Sequence, residues 1–311
     1  MANKKRRKVK IGRWLILIDI LLALLIGCIL ILINISDKEE VFDKDISINE
    51  LNYDDMTTLD LDLHSKRYML VRLNDFKVLY GSGIYEKFYP ASLTKVVTLD
   101  TVVKYANGLD DTSKISRQDY EELIEENASL AYLQVDEEYS LKDLLYALVL
   151  PSGGDAGKAL ENYFSSNNIN LIDLMNKNMN SIGCTSSNFT NSTGLHNDNL
   201  YTTLDDYAKL VIDSLNNSDA KRILKSYSYT LDDGLTVKST LSSLENYFDD
   251  IEIYGGKTGF TGQAGENIMI LYEVNNRSFL LILSGASGNP YIEGENYHII
   301  DAISVLKYLY S

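Results

Sequence analysis

Cysteine and histidine are scarce in this chain of 311 residues, which holds two of the first and three of the second. Cys28 lies inside an apolar run and Cys184 far beyond it, so no disulfide framework exists. His64, His196 and His298 stand apart from one another, and nothing has the spacing of metal ligands. The G-x-S-x-G elbow is missing, which removes support for a Ser-His-Asp enzyme. A phosphate loop is excluded as well, because the one Gly-Lys-Thr segment lacks the earlier glycine that G-x-x-x-x-G-K requires. Internal repeats and low-complexity tracts are absent. Positive charge is also in short supply, with 29 bases against 44 acids and a net charge of −15.

The bases are unevenly spread. Met1 to Arg13 carries seven of them and no acid, and Leu15 to Ile33 is then an apolar run of 19 residues broken only by Asp19. A bilayer needs roughly 20 apolar residues, so residues 14–35 are expected to form a transmembrane helix behind a cytoplasmic basic tail at 1–13. A signal peptide would have a shorter apolar stretch, about 7–15 residues, followed by a small-residue cleavage site. Leu25-Ile26-Gly27-Cys28 has the look of a lipoprotein box, yet the apolar run continues through Ile33, which favours an intact helix. With the basic tail and Asp19 set aside, the rest carries 22 bases and 43 acids, about −21. Nucleic acid is therefore not expected as a partner, and a solvated acidic exterior suffices. Residues 36–63, rich in Asp and Glu, read as an acidic extracytoplasmic linker, which leaves 64–311 as the folded domain.

Within that domain Tyr68 to Leu73 and Phe76 to Tyr80 read as a β-hairpin turning at Asn74-Asp75. Ser92 to Tyr105 has helical spacing, with Val96, Leu99 and Val103 on one face and Asp100 and Lys104 directed to water. Ser140 to Leu150 is a second helix, capped by Ser140 and broken by Pro151. Ala156 to Phe164, Leu171 to Ile182 and Thr203 to Leu215 add three more. From Ile251 the texture changes. Ile251 to Tyr254, Asn267 to Val274 and Ser278 to Gly285 read as antiparallel strands, and Tyr297 to Tyr310 as a closing helix. The expected fold is α/β, an antiparallel sheet built from both termini and flanked by helices, with an inserted helical lobe and the active site at the junction.

Three short motifs carry the chemistry. In Pro90-Ala91-Ser92-Leu93-Thr94-Lys95 a serine is followed three residues later by a lysine, and on a helix such residues share a face about 5–6 Å apart. A neutral lysine there could take the serine proton without a histidine. Alone the pattern is weak, since Ser and Lys on a helix are usually solvated. Ser152-Gly153-Gly154 is by itself a turn, and Gly256-Lys257-Thr258-Gly259 a loop or hairpin. Together and in this order the three point to an acyl-serine hydrolase.

From Tyr68 to Tyr310 the chain resembles the low-molecular-mass penicillin-binding proteins, serine-type D-alanyl-D-alanine carboxypeptidases with the β-lactamase/transpeptidase-like fold. Leu145-Tyr146-Ala147-Leu148-Val149-Leu150 before the second motif and Asn188-Phe189-Thr190-Asn191-Ser192-Thr193-Gly194-Leu195 after it match the family's spacers, with Ser192 where the family has proline. The resemblance implies that Ser92 attacks the carbonyl between two terminal D-alanines of a peptidoglycan stem peptide, with Lys95 as base and Ser152 completing a proton path. It implies substrate contacts from Lys257 and Thr258 to the terminal carboxylate, from Gly259 along the strand edge, and from the backbone N–H groups of Ser92 and Phe260 to the oxyanion. Lys257 would also serve as the positive neighbour that lowers the Lys95 pKa. It further implies inhibition by β-lactam antibiotics, no cofactor, and a catalytic domain outside the bacterial membrane.

Two departures stand out. Gly154 replaces the asparagine that usually ends the second motif and offers no side chain. Where the family often has an arginine for the terminal carboxylate, His298 falls, with Arg277 as the other candidate. A β-lactamase-like hydrolase is the nearest alternative, but the E-x-x-L-N loop of its class A members has no counterpart between Ser152 and Lys257. A non-catalytic membrane-tethered binding or sensor module is the other, and the intact Ser92, Lys95, Ser152 and Lys257 speak against it.

Overall fold

A computed structural model describes residues 51–310. The basic tail, the expected transmembrane helix at 14–35 and most of the acidic linker lie outside the described residues. Among the described residues no helix is long and apolar enough to cross a membrane.

The first two strands, β1 (Arg67–Arg72) and β2 (Lys77–Ser82), form the expected hairpin. Helices α1 (Thr94–Tyr105), α2 (Arg117–Glu125), α3 (Leu141–Val149), α4 (Gly154–Ser166), α5 (Leu171–Ser181), α6 (Leu204–Asn216) and α7 (Ser218–Leu224) follow as the inserted lobe. Strands β3 (Glu252–Thr261), β4 (Gly265–Val274) and β5 (Arg277–Ala286) and the closing helix α8 (Tyr297–Tyr310) complete the chain. The sheet runs β2-β1-β5-β4-β3 and every neighbouring pair is antiparallel. Both termini of the domain thus meet where β1 pairs with β5, Met69 opposite Ile282.

Antiparallel sheets commonly leave one face to water, but here both faces are covered. On one, Leu70, Ile268, Ile270, Tyr272, Leu281 and Leu283 pack with Ala302, Val305 and Leu306 of α8. The other carries Met69, Val71, Met269, Leu271, Leu280 and Ile282, all essentially fully buried. That double burial is why 268–272 and 279–283 read as continuous apolar runs instead of alternating ones.

Three expectations need correction. Residues 51–63 are laid against the fold: Asn52 and Thr57 bridge Lys77 and Tyr80 in parallel, Leu51 and Leu59 are buried, and the Leu59 N–H donates to Tyr68 Oη at 2.8 Å. Leucines at 51, 59, 61 and 63 outweigh the acidic texture there. The second correction concerns α1, whose Asp100 is fully buried instead of facing water. Its carboxylate accepts from Lys104 Nζ at 2.7 Å, Asn178 Nδ2 at 2.7 Å and Ser214 Oγ at 3.0 Å, and Lys104 also pairs with Asp213. Because α3, α5, α6 and α7 all pack against α1, only its last turn reaches water, where Lys104 is exposed as expected and pairs with the buried Asp100. Lastly, β3 runs ten residues, well past Tyr254, so the Gly-Lys-Thr-Gly motif lies within the strand at the sheet's edge. Glycines at 255, 256 and 259 conceal it from propensity, and an irregularity in the pairing falls between Ile253 and Gly255.

Candidate active site

Ser92 sits in a single 3-10 turn, Ala91–Leu93, that leads directly into α1. The residue before it, Ala91, is buried with φ +49°, a conformation that side chains other than glycine rarely adopt. Two glycines hold this turn in place. A Cβ at Gly194, whose φ is +82°, would lie 1.9 Å from the Ala91 carbonyl oxygen, and one at Gly259 would lie 2.9 Å from both Pro90 O and Ser92 N. Close approach of β3 to the nucleophile turn is thus what demands glycine at 259, in addition to any passage of substrate along the edge.

At the second residue of α1, Lys95 Nζ stands 3.1 Å from Ser92 Oγ and donates to the Thr193 carbonyl at 2.5 Å. Burial lowers the Lys95 pKa to about 7, against an opposing pull from the Asp155 carboxylate. Asp155 is itself buried at the start of α4, where it accepts backbone N–H bonds from Ala131 at 2.8 Å and Leu133 at 3.0 Å. Lys257 on β3 is completely buried, donates to the Thr258 carbonyl at 2.9 Å, and has its pKa lowered by burial and then by the charge of Lys95. Burial, and not the charge of Lys257, is what leaves Lys95 readily present as the free amine that can accept a proton, while the repulsion between the two lysines falls on Lys257.

Ser152 follows Pro151 on the loop between α3 and α4, again at positive φ, +67°. Its hydroxyl is buried and has no hydrogen-bond partner, although buried polar atoms ordinarily have one. Gly154 opens α4, and its N–H donates to the Ser129 carbonyl at 2.7 Å. A Cβ at 154 would meet Leu123 Cδ2 and Ser129 O at 3.2 Å, so the 128–129 backbone borders the place where an asparagine side chain would start.

Two cavities meet at the nucleophile. One, of about 320 Å³, is lined by Lys95, Gly154, Thr193 and His196, and the other, of about 610 Å³, by Ser152, Thr258, Gly259 and His298. Ser92, Ser129, Phe260 and Tyr291 line both. The Phe260 and Tyr291 rings meet edge to face at 5.8 Å. Thr258 Oγ1 donates to Thr240 Oγ1 at 2.8 Å. His298 has its Nδ1 2.8 Å from the buried Glu266 carboxylate, which also accepts the His298 backbone N–H. Arg277, the other candidate for a carboxylate partner, opens β5 beside Val274, at the end of the sheet away from Phe260, and lines neither cavity.

The structure therefore brings Ser92, Lys95, Ser152, Gly154, Thr258, Gly259, Phe260 and His298 to one cleft, with Lys257 buried behind its wall, lining neither cavity but near enough to Lys95 to feel its charge. Sequence reasoning missed Asp155, Ser129, Tyr291 and the Thr193 carbonyl. Asp155 directly follows the second motif, and Thr193 lies in a stretch singled out for other reasons. His196 stands in the cleft wall, 3.3 Å from Asp198 and edge-on to Tyr89. Among the described residues no group of His, Cys, Asp and Glu is arranged to hold a metal ion.

The sequence profile of the D-alanyl-D-alanine carboxypeptidase family matches residues 54–287. The D-alanyl-D-alanine carboxypeptidase DacF of Bacillus subtilis is 26% identical over 241 residues, 75% of this chain and 60% of that protein, so the chain spans less than two thirds of that relative. In three dimensions the chain is similar to the Streptomyces K15 DD-transpeptidase, with a TM-score of 0.71 and 22% identity over 81% of this chain and 98% of the other. Penicillin-binding protein D2 of Listeria monocytogenes, in its cefotaxime-bound form, gives 0.69 with 19% identity over 82% and 100% of the two chains. At such identities these two likenesses speak for the fold alone.

Proposed function

The chain belongs to the D-alanyl-D-alanine carboxypeptidase family, and we propose on that premise that it is a penicillin-sensitive serine carboxypeptidase that removes the last D-alanine from peptidoglycan stem pentapeptides. The observation that carries this reading is the 3.1 Å contact between Ser92 Oγ and a buried Lys95 whose pKa is lowered to about 7. A base poised near the operating pH is what general-base catalysis needs.

In the proposed reaction Ser92 Oγ bonds to the carbonyl carbon of the penultimate D-alanine as its proton passes to Lys95 Nζ. The N–H groups of Ser92 and Phe260 stabilise the oxyanion, each such donor being worth ~3–4 kcal/mol. The C–N bond then breaks, and the leaving amine takes a proton through the otherwise unpartnered hydroxyl of Ser152. Water cleaves the resulting ester by the reverse proton route and frees the shortened peptide. Thr258 and Lys257 receive the substrate's terminal carboxylate, and that anion supplies the counter-charge which the buried Lys257 lacks. His298, on the wall shared with Thr258, takes the carboxylate-side position in place of an arginine.

A β-lactam presents the same acyl centre and is expected to acylate Ser92. The tail at 1–13, the membrane-spanning segment at 14–35 and the link that follows would hold this domain at the outer face of the bacterial membrane, near its substrate.

The test is covalent labelling. Fluorescent penicillin is expected to label the intact protein and to leave Ser92→Ala unlabelled, while D-alanine is released from a peptide ending in D-Ala-D-Ala by the unsubstituted protein alone. No label on folded protein would overturn the reading in favour of a binding module, and fast label loss with drug hydrolysis would favour a β-lactamase-like hydrolase.

A further inference from the structure

The smaller cleft cavity continues past the nucleophile. Gln263, in the turn between β3 and β4, lines it and also lines a neighbouring cavity of about 360 Å³. Lys66, Arg67 and Lys87 border that second space, together with Tyr89 and Tyr201. Arg67 is matched by Glu86 at 3.1 Å, and Asp198, the acid on the wall, lies 3.3 Å from His196 Nε2. Lys66 and Lys87 have no ion pair and no side-chain hydrogen bond among the described residues. Lys87 Nζ only rests 3.7 Å from the centre of the Tyr201 ring.

Two lysines without an acid partner border one concavity, whose other charged groups, Arg67 and Asp198, are each matched by a neighbour, so its lining is positive in a chain with 44 acids and 29 bases. A positive hollow in a negative molecule concentrates anions. Its position says which anion. With the terminal carboxylate at Thr258 and the scissile carbonyl at Ser92, a peptide extended antiparallel to β3 sends its earlier residues past Phe260 and Thr261 toward Gln263. At about 3.3 Å per residue, the stretch from Thr258 to Thr261 covers about 10 Å, so the residue immediately before the D-Ala-D-Ala pair is the one whose side chain reaches the cavity.

We propose that the cavity bounded by Lys66, Arg67 and Lys87 is a subsite for a carboxylate on the side chain of the residue preceding D-Ala-D-Ala, and that it selects acidic over neutral stem peptides. The subsite rests on the function proposed above for its orientation but can be tested without turnover. The full chain carrying Ser92→Ala is titrated with fluorescent N-acyl-Glu-D-Ala-D-Ala and with its Gln analogue, and binding is followed by anisotropy. The Glu peptide is expected to bind at least about tenfold more tightly at low ionic strength, with the advantage shrinking as salt rises. In Lys66→Gln/Lys87→Gln on the same background, the ratio of the two affinities is expected to collapse toward one. Equal affinities, no binding by either peptide, or a preference that survives in the double variant would overturn the subsite. If the Glu preference holds while protein with Ser92 intact cleaves neither peptide, the subsite stands and the hydrolytic assignment falls.

Discussion

Lys95 has to be uncharged beside Ser92, and most of what makes it so is burial, since the nearest acid pulls in the opposite direction. The sign of the pH dependence follows. Below about pH 7 the amine carries a proton and cannot accept another, so the acylation rate of Ser92 is expected to fall there and to reach a plateau above. Asp155→Asn removes the charge that raises the Lys95 pKa and should move the midpoint to lower pH, a shift that a purely structural role for Asp155 would not produce. Stopped-flow labelling with penicillin across pH reads both, and an unmoved midpoint would refute the electrostatic role. Replacing Lys95 by methionine should slow acylation roughly 10²–10⁴-fold, the usual contribution of a positioned base.

At the scale of elements, the nucleophile turn is clamped between β3 and the loop at Gly194. Gly259→Ala would push a methyl into Pro90 O and Ser92 N, and an ångström of misplacement can cost about 10²-fold in rate. Loss of acylation with an unchanged circular dichroism spectrum is the expected result, and full activity would dissolve the clamp. In α1 the buried Asp100 network makes the reverse prediction, large on stability and small on local chemistry. Asp100→Ala leaves Lys104 with Asp213, Asn178 with Thr101 Oγ1 and Ser214 with the Leu210 carbonyl, but removes three hydrogen bonds to a buried carboxylate, and urea melts should show a loss of roughly 1–3 kcal/mol. These two elements also mark how far the sequence could be read. The motifs, the hairpin, α3 and α8 were legible because spacing, an N-cap serine and apolar periodicity are local signals. The burial of Asp100 was not, because a helix covered by α3, α5, α6 and α7 up to its last turn has the same letters as one with a wet face along its length. Nor was the full length of β3, whose glycines serve contacts with the nucleophile turn and with β4. Asp155 was hidden in plain view, since its partners Ala131 and Leu133 come from a loop with no pattern of its own.

For the molecule as a whole, the catalytic lysines are a burden on stability. A lysine whose folded pKa lies below its unfolded value of about 10.4 binds fewer protons when folded, so its unfavourable contribution is complete below the folded pKa and fades as pH rises toward the unfolded one. For Lys95 that window opens at about 7, and Lys257, lowered by burial and by Lys95, acts in the same direction. Lys95→Met should therefore yield a protein that is inactive yet more stable than the original near pH 6–7. Thermal melts of the two proteins should converge as pH approaches 10, after the native amine has lost its charge. Comparing the pair cancels the repulsion among the many surface acids, which grows with pH in both alike. A Tm difference that stays constant from pH 6 to 10 would mean that Lys95 binds its proton equally in the folded and unfolded chains and so stays charged when folded, and acylation would then show no midpoint near 7. The same ionisation thus governs both measurements, and agreement of their midpoints near 7 is the quantitative link between how the protein is held together and how its serine is armed.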